Sequence, residues 1–388
     1  MLLDAFLNSA KSVSKGEFSP ISSLIKDGKR HGAADIFLKP NMNSPNLNVM
    51  INTEVMSFQV DPKTQKAHKI TYSKKRKISS FDIQGAKVIL AAGSLNTPLL
   101  LLRSGFGPKQ NLDQFEIPVI KELPVGKTLK DSIMYPIYFH TKDPKVRSIN
   151  LMRILNPMEI YDYVMNGEGI WSTMALDGQA LFRDEGIIVL LYELGAPSKL
   201  AFTTISGHKS ETFDAMFPDA SNPTKEGFVL LASCLESHSD GSVSLTRMVE
   251  NEGSPLKIFT DYFESPKDMN CMKKAVKNAL KIGQSDALKK LGAELHVPDF
   301  EECKKFKKDY NNEDYLECAI RTAATTMYHP VGTTPVGSVL EKDFRVKGIN
   351  NVFVSDSAAI ERLQDEFPNA KVRHMALDMA QKLKNSKV

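Results

Sequence analysis

The chain has 388 residues, of which 42% are hydrophobic and 25% charged, as in a soluble globular protein of about two domains. Its formal net charge of +4 is small and dispersed, which argues against a nucleic-acid-binding protein. No apolar run is long enough to span a membrane, and the four cysteines have neither CxxC nor metal-ligand spacing, so neither a membrane nor a metal is expected as a partner.

The first part of the chain predicts two short helices and a small antiparallel sheet. Residues 2–13 repeat apolar side chains at helical spacing, and residues 35–38 form a second short helix. The segment 45–51 alternates and contains β-branched residues, which is typical of a strand. Together with strands over 55–60 and 70–73, this segment predicts a small antiparallel sheet.

A strand, a turn and a helix follow between residues 86 and 103. Ala86–Gly93 is largely apolar and ends in small residues, as a strand buried on both faces of a parallel sheet does. We expect the helix to run over 99–103, with Thr97 as its cap and Pro98 in its first position. A strand, a glycine turn and a helix N-terminus together can hold a phosphate or a ring edge. An ordinary βα unit explains the same pattern equally well.

Residues 109 to about 300 predict a mostly antiparallel sheet with helices on one face. A long amphipathic helix is expected over 269–292. Strand-like runs separated by polar loops recur at 133–139, 187–192, 227–232, 243–245 and 258–263.

His329 is the first candidate for chemistry. Pro330 restricts His329 to extended backbone, and Gly332 allows another group to approach the chain closely. A rigidly held imidazole suits acid–base chemistry on a bound planar ligand. A buried structural histidine in a tight turn is the alternative, and for an isolated His-Pro pair it is the stronger interpretation.

The C-terminal part predicts two helices and one buried strand. Helices are expected over 313–321 and 369–383, the second with Asn369 as its cap. The apolar strand within 346–356 ends in Asp356. A carboxylate at the carboxyl end of a strand points into the ligand crevice of an open sheet.

Three of these stretches together resemble the glucose-methanol-choline (GMC) family of flavin oxidoreductases. Residues 93–107 match the second signature of the family at nearly every position, Phe106 being the departure. Residues 328–333 match the segment with the active-site histidine of the family, and 352–357 resemble its flavin-binding strand. The resemblance covers essentially the whole chain in the correct order.

The resemblance implies an α/β plus α+β fold in two parts. One part is an incomplete FAD-binding doubly wound domain formed by residues 1–108 and 305–388. The other is an antiparallel-sheet substrate domain formed by residues 109–304. The implied cofactor is FAD, and the implied partner is a small-molecule alcohol substrate.

The resemblance also implies roles for individual residues. Enzymes of this family transfer a hydride from a substrate C–H to FAD while a base takes the proton of the substrate hydroxyl. By resemblance, His329 is that base. Asn369 takes the second active-site position, where its amide hydrogen-bonds the developing alkoxide. The residues expected to contact FAD are Val55, Gly93, Pro330, Asp356 and Ser357.

The chain departs from the family pattern in several places. It contains no GxGxxG, the motif that binds the FAD pyrophosphate, so we expect an N-terminally truncated member. The strand over 88–92 would then have an unpaired edge, which a second chain or a second copy would cover. Lys371 and Arg373 add positive charge to a helix start, and 124–132 lacks the amide and histidine usual in the family.

These observations predict an FAD-dependent oxidoreductase acting on CH–OH groups, weakly active or inactive as this chain alone. The departures favour one alternative, a non-catalytic GMC-like binding protein. An FAD-dependent cyanohydrin lyase is another, which the sequence does not distinguish from an oxidase.

Cys303 and Cys318 match a pair that is disulfide-bonded in secreted members and indicates extracellular ancestry. The start of the chain is not a secretory signal, so either the protein is intracellular or a natural leader lies upstream.

Overall fold

The computed structural model describes residues 1–143, 146, 148–195, 197–222, 224–246, 255–362 and 368–385. The chain divides into two compact units, each assembled from three separate stretches. Unit 1 comprises Met1–Asn48, Ile133–Leu235 and Met269–Met327, and unit 2 comprises Val49–Ser132, Glu236–Asp268 and Tyr328–Val388.

Short strands make up the sheets of both units. In the described ranges, strands β1 to β18 run, in chain order, over Glu17–Pro20, Ile25–Lys26, Lys29–Arg30, Thr53–Asp61, Lys66–Lys74, Lys77–Asp82, Val88–Leu90, Phe106–Gly107, Lys121–Glu122, Ile133–Thr141, Leu176–Phe182, Ile187–Tyr192, Gly227–Cys234, Ser242–Leu245, Leu256–Phe259, Ala293–Leu295, Thr325–Thr326 and Val352–Val354.

Helices α1 to α11 of the same ranges run over Leu2–Val13, Gly93–Arg103, Lys109–Gln114, Leu151–Ile154, Pro157–Asn166, Lys199–Ser206, Ser210–Met216, Pro266–Gly283, Asp286–Lys289, Glu313–Ala323 and Pro368–Asn385. Single turns of other helix types lie at Ala34–Leu38, Lys39–Asn41, Ile170–Ser172, Arg183–Glu185, Glu301–Cys303 and Ser357–Ala359. Within the part of the chain that the structure describes, no helix combines the length and apolar character needed to cross a membrane.

Unit 1 is built on an antiparallel sheet with the strand order β1-β11-β12-β13-β10-β16, in which β17 also pairs with β10. The side chains of β12 and β13 are buried at nearly every position, so both faces of the sheet are covered there. Helix α1 packs on β1 and β11, and its Phe6 is fully buried. The predicted antiparallel sheet is confirmed for β10, β12 and β13.

The bounds of the compact units differ from the predicted domain bounds at 108 and 304. Residues 17–20 pair with β11, which places the start of the chain in the antiparallel unit. Strands β14 and β15 pair with each other in unit 2. A sequence pattern cannot assign strands to sheets whose partners are more than a hundred residues away. The assignment of the predicted domains to FAD and to substrate remains a prediction.

Unit 2 contains a parallel pair of strands, but only Leu90 of β7 is buried, so the predicted burial of residues 86–93 on both faces is wrong. Val88–Leu90 pairs in parallel with Val352–Val354, so the carboxyl ends of β7 and β18 lie at the same edge. Helix α2 follows β7, and its leucines join the core of this unit. Strands β4 and β5 confirm two strands of the predicted small antiparallel sheet, and β6, which was not predicted, is its third strand.

The predictions for residues 45–51 and for the cap of α11 are wrong. The segment 45–51 is not a strand; pairing with β5 begins only at Thr53, opposite Lys74. Helix α11 begins at Pro368, so Asn369 lies inside its first turn and is not its cap. Residues 45–51 have the alternating pattern of a strand but no partner strand to pair with. At α11 the helix simply begins one residue earlier than the sequence pattern indicated.

Two disulfides tie unit 1 together, and all four cysteines lie in described residues. Cys303 pairs with Cys318, which confirms the pair implied by the family resemblance. Cys234 pairs with Cys271 and joins the end of β13 to α8. No spacing in the sequence indicated this second bridge.

Candidate active site

The His329 segment is held by the stretch that precedes β10. Lys130 and Val331 exchange backbone hydrogen bonds of 3.0 and 2.8 Å, and the Thr128 hydroxyl donates to the Gly332 carbonyl at 2.5 Å. The His329 backbone N–H donates to the Asp131 carboxylate at 3.0 Å. The imidazole therefore projects from a backbone that is anchored on both sides.

The electrostatic surroundings of His329 favour its neutral form. Burial lowers the pKa of His329 below 6.5, because the charged imidazolium is poorly solvated there. The nearby Asp131 carboxylate opposes this effect and raises the pKa. The net shift is downward and favours the neutral imidazole, which is the form able to accept a proton.

Asp131 is a site residue that the sequence reasoning missed. The residue is 8% exposed, and its carboxylate accepts from His329 N–H through Oδ1 and from the Tyr262 hydroxyl through Oδ2 at 2.6 Å. These partners lie 198 and 131 residues away along the chain. In the sequence, the stretch 124–132 that contains Asp131 was noted only because it departs from the family pattern, and this did not identify Asp131 as a site residue.

The turn before α2 forms the second part of the site. Helix α2 begins at Gly93, which has φ +81°, and the Gly93 N–H donates to Asp356 Oδ2 at 2.9 Å. The predicted helix start at Leu99 with Thr97 as the cap is therefore wrong, because Asp356 caps the helix from a distant strand. The Thr97 hydroxyl donates to the same Asp356 oxygen at 2.5 Å.

Pro98 is tolerated inside α2 because the neighbouring segment replaces its missing hydrogen bond. A proline cannot donate to the carbonyl four residues earlier, here that of Ser94. The Thr333 hydroxyl donates to this carbonyl at 2.7 Å. The Ser94 hydroxyl in turn donates to the Pro330 carbonyl at 2.5 Å and lies 2.7 Å from the Ser357 hydroxyl. These bonds join α2 to the His329 segment.

Four of the predicted site residues are thus brought together around Ser94: Gly93, Pro330, Asp356 and Ser357. The Asp356 carboxylate also accepts from the Ala358 N–H at 2.8 Å, so it caps a second turn. Burial raises the pKa of Asp356 above its ordinary value, whereas the hydrogen bonds from Thr97 and Gly93 lower it. Its contacts here stabilise unit 2, and its predicted contact with FAD remains a prediction.

Replacing Asp356 with alanine is expected to lower the free energy of unfolding by about 2–3 kcal/mol, because buried donors at Gly93, Thr97 and Ala358 lose their acceptor. Urea unfolding measures this loss. Asp61→Ala is the control, since its bond to Lys63 N–H lies at the surface. Equal losses in both variants would contradict the capping role.

The same substitution has a defined pH dependence. An acid with a raised folded pKa stabilises the fold fully below its unfolded pKa, and this stabilisation is lost as pH rises through the folded pKa. The stability difference between the wild type and Asp356→Ala is therefore expected to be largest at acid pH and to narrow as pH rises. Unfolding curves measured across this range check the sign.

Val55 and Asn369 stand apart from this network. Val55 lies on β4 with its side chain exposed. Asn369 is exposed on the first turn of α11, and within the described part of the chain it makes no hydrogen bond to His329. Their predicted roles in cofactor and substrate contact remain predictions.

A cavity of about 800 Å³ lies elsewhere, in unit 1. Its lining mixes both signs of charge, with Lys209, Lys305 and Arg321 beside Glu302 and Glu317. None of the predicted site residues lines it. Flat apolar rings do not match such a lining, so this cavity adds nothing to the site around His329.

Comparison with known proteins gives consistent matches. Two family models, both described as GMC oxidoreductase, match residues 8–134 and 237–376. The protein "Neither inactivation nor afterpotential protein G" of Drosophila melanogaster is 30% identical over 372 residues, covering 92% of this chain and 61% of that protein. Glucose dehydrogenase (FAD, quinone) of the same species is 25% identical over 349 residues, covering 87% and 53%.

The chain spans about half to six-tenths of the length of these two relatives. Among solved structures, pyridoxine 4-oxidase from Mesorbium loti superposes with a TM-score of 0.77 at 20% sequence identity. The superposition covers 100% of this chain and 70% of that chain. It shows that the two proteins share a fold.

Proposed function

The chain belongs to the GMC oxidoreductase family, and from this premise we propose that it binds FAD and oxidises a CH–OH group of a small-molecule alcohol or sugar. The observation that carries the proposal is the half-buried imidazole of His329, which projects from a backbone held by Asp131 and whose pKa is lowered by burial. A neutral imidazole on an anchored backbone is the state that a general base requires.

The turn at Gly93 supports FAD as the group bound. A Cβ built on Gly93 would meet no atom within 4 Å, so the backbone is open to close approach on that side. Its φ of +81° favours glycine at this position. We propose that Val55, Gly93, Pro330, Asp356 and Ser357 hold FAD, the cofactor of this family.

In the proposed reaction, bound FAD supplies the acceptor for the hydride that leaves the substrate carbon. A ring nitrogen of His329 takes the proton of the substrate hydroxyl as the C–O bond gains double-bond character. The proposed role of the Asn369 amide is to donate a hydrogen bond to the oxygen while negative charge develops on it. The anchored backbone of His329 keeps the base oriented without further reorganisation.

Titration of this chain with FAD, followed by addition of alcohols and sugars without oxygen, tests the proposal. We expect FAD to bind, seen as a change in flavin absorbance and fluorescence, and at least one substrate to bleach the flavin slowly, because the chain contains no GxGxxG motif for the FAD pyrophosphate and is expected to be weakly active alone. Absence of binding would contradict the proposal. Binding without bleaching by any CH–OH compound would favour the non-catalytic relative.

The Gly93→Ala variant tests the location of FAD. The added methyl group obstructs backbone approach, so we expect FAD to bind about tenfold or more weakly. Gly85→Ala is a matched control, because Gly85 has φ +78° and equally open surroundings. Both variants should lose about 1–2 kcal/mol of stability to backbone strain. Equal FAD affinity in the two variants would place the cofactor elsewhere.

A further inference from the structure

Asp131 connects the candidate base to a tyrosine on a distant segment of unit 2. Each carboxylate oxygen has a donor: His329 N–H at 3.0 Å on Oδ1 and Tyr262 Oη at 2.6 Å on Oδ2. Asp131 as a whole residue is buried, with 8% of its surface exposed. A buried carboxylate is costly unless it is hydrogen-bonded, so both donors stabilise this arrangement.

The Asp131 bond acts on His329 itself, whereas the other anchors act on its neighbours. Lys130 pairs with Val331, and Thr128 donates to Gly332, so these bonds hold the chain after the histidine. Tyr328, just before His329, has φ +60°, a conformation that an L-residue adopts at a cost. The hydrogen bond from His329 N–H to Asp131 helps to hold this turn.

The charge of Asp131 also reaches the imidazole. Asp131 is the carboxylate whose charge favours the protonated form of His329. Two other ionisable groups on the packed segments are paired: Lys130 lies 2.8 Å from Asp240, and Tyr262 donates to Asp131. Asp131 is a charged group whose carboxylate hydrogen-bonds directly to the backbone of His329.

We propose that Asp131 is a positioning residue for His329, which fixes the backbone from which the imidazole projects and stabilises the protonated imidazole formed on proton transfer. Tyr262 orients the carboxylate and withdraws part of its charge. The catalytic meaning of this role rests on the proposed function, whereas the coupling between Asp131 and His329 does not.

Histidine titration by NMR tests the coupling without any turnover. In Asp131→Asn the side-chain oxygen still accepts from His329 N–H but the charge is gone, so the His329 midpoint should move to lower pH. In Tyr262→Phe the carboxylate keeps its charge and loses a donor, so the midpoint should move to higher pH. A His329→Asn sample assigns the signal among the eight histidines, and the other seven serve as internal references.

The two variants make the outcome decisive, because a merely structural anchor would not shift the midpoint in opposite directions. A midpoint that does not move, or that moves in the opposite direction, in either variant overturns the proposal. Tyr262→Phe is a conservative change and keeps the test valid if Asp131→Asn does not fold.

Flavin reduction then separates this proposal from the proposed function. In the FAD-loaded protein, Asp131→Asn should reduce kcat about tenfold with KM unchanged, because a weaker base transfers the proton less efficiently. Opposite NMR shifts without flavin reduction in any sample would support the Asp131 role and contradict the catalytic one. Flavin reduction without NMR shifts would support the proposed function and contradict the role of Asp131.

Discussion

Replacing His329 with asparagine is expected to slow the reduction of bound FAD by an alcohol about 10²- to 10⁴-fold, the usual contribution of a general base. Asparagine is polar and compatible with the same backbone, so the anchors at Lys130 and Asp131 should persist. FAD affinity should therefore remain close to that of the wild type. Anaerobic stopped-flow absorbance of the flavin measures both quantities.

The pH dependence of the same reaction follows from the pKa of His329. The base must be neutral to accept a proton, and burial lowers its pKa below 6.5. The rate is therefore expected to be level above that pKa and to fall as pH decreases through it. In His329→Asn this acid limb should disappear.

A surface histidine provides the matched control. His68 lies exposed on β5 in the same unit, and His68→Asn should change neither the rate nor the acid limb. If His329→Asn reduced flavin as fast as the wild type did, or kept the same acid limb, another group would be the base.

Removing the disulfide Cys234–Cys271 is expected to have the largest effect on stability. The bridge joins β13 to α8 and closes a separation of 37 residues, compared with 15 for Cys303–Cys318. Chain-entropy estimates for loops of these lengths are roughly 3–4 kcal/mol each. We expect a paired cysteine-to-alanine substitution at 234 and 271 to lower the free energy of unfolding by about that amount.

Urea unfolding with and without a thiol reductant measures this effect. The wild type should lose stability on reduction, and a variant with all four cysteines replaced should be insensitive to the reductant. An unfolding midpoint of the wild type that is unchanged by complete reduction would contradict the stabilising role. Free thiols counted in the unfolded protein show that reduction is complete.

The sequence alone predicted those local features that are determined by neighbouring residues. The apolar run before Gly93 and the run ending in Asp356 both predict strands, and parallel strands bring their carboxyl ends to one edge. In the structure Gly93, Asp356 and Ser357 lie together at this edge, and their predicted contact with FAD remains a prediction. Pro330 similarly restricts the backbone of His329 before any tertiary contact forms.

Long-range pairing accounts for what the sequence did not reveal. The true start of α2 depends on Asp356, 263 residues from Gly93, and the anchor of His329 depends on Asp131, 198 residues away. The Cys234–Cys271 bridge and the docking of β1 on β11 likewise join separate stretches. Each depends on which surfaces pack together, and packing is a property of the folded chain that no window of neighbouring residues encodes.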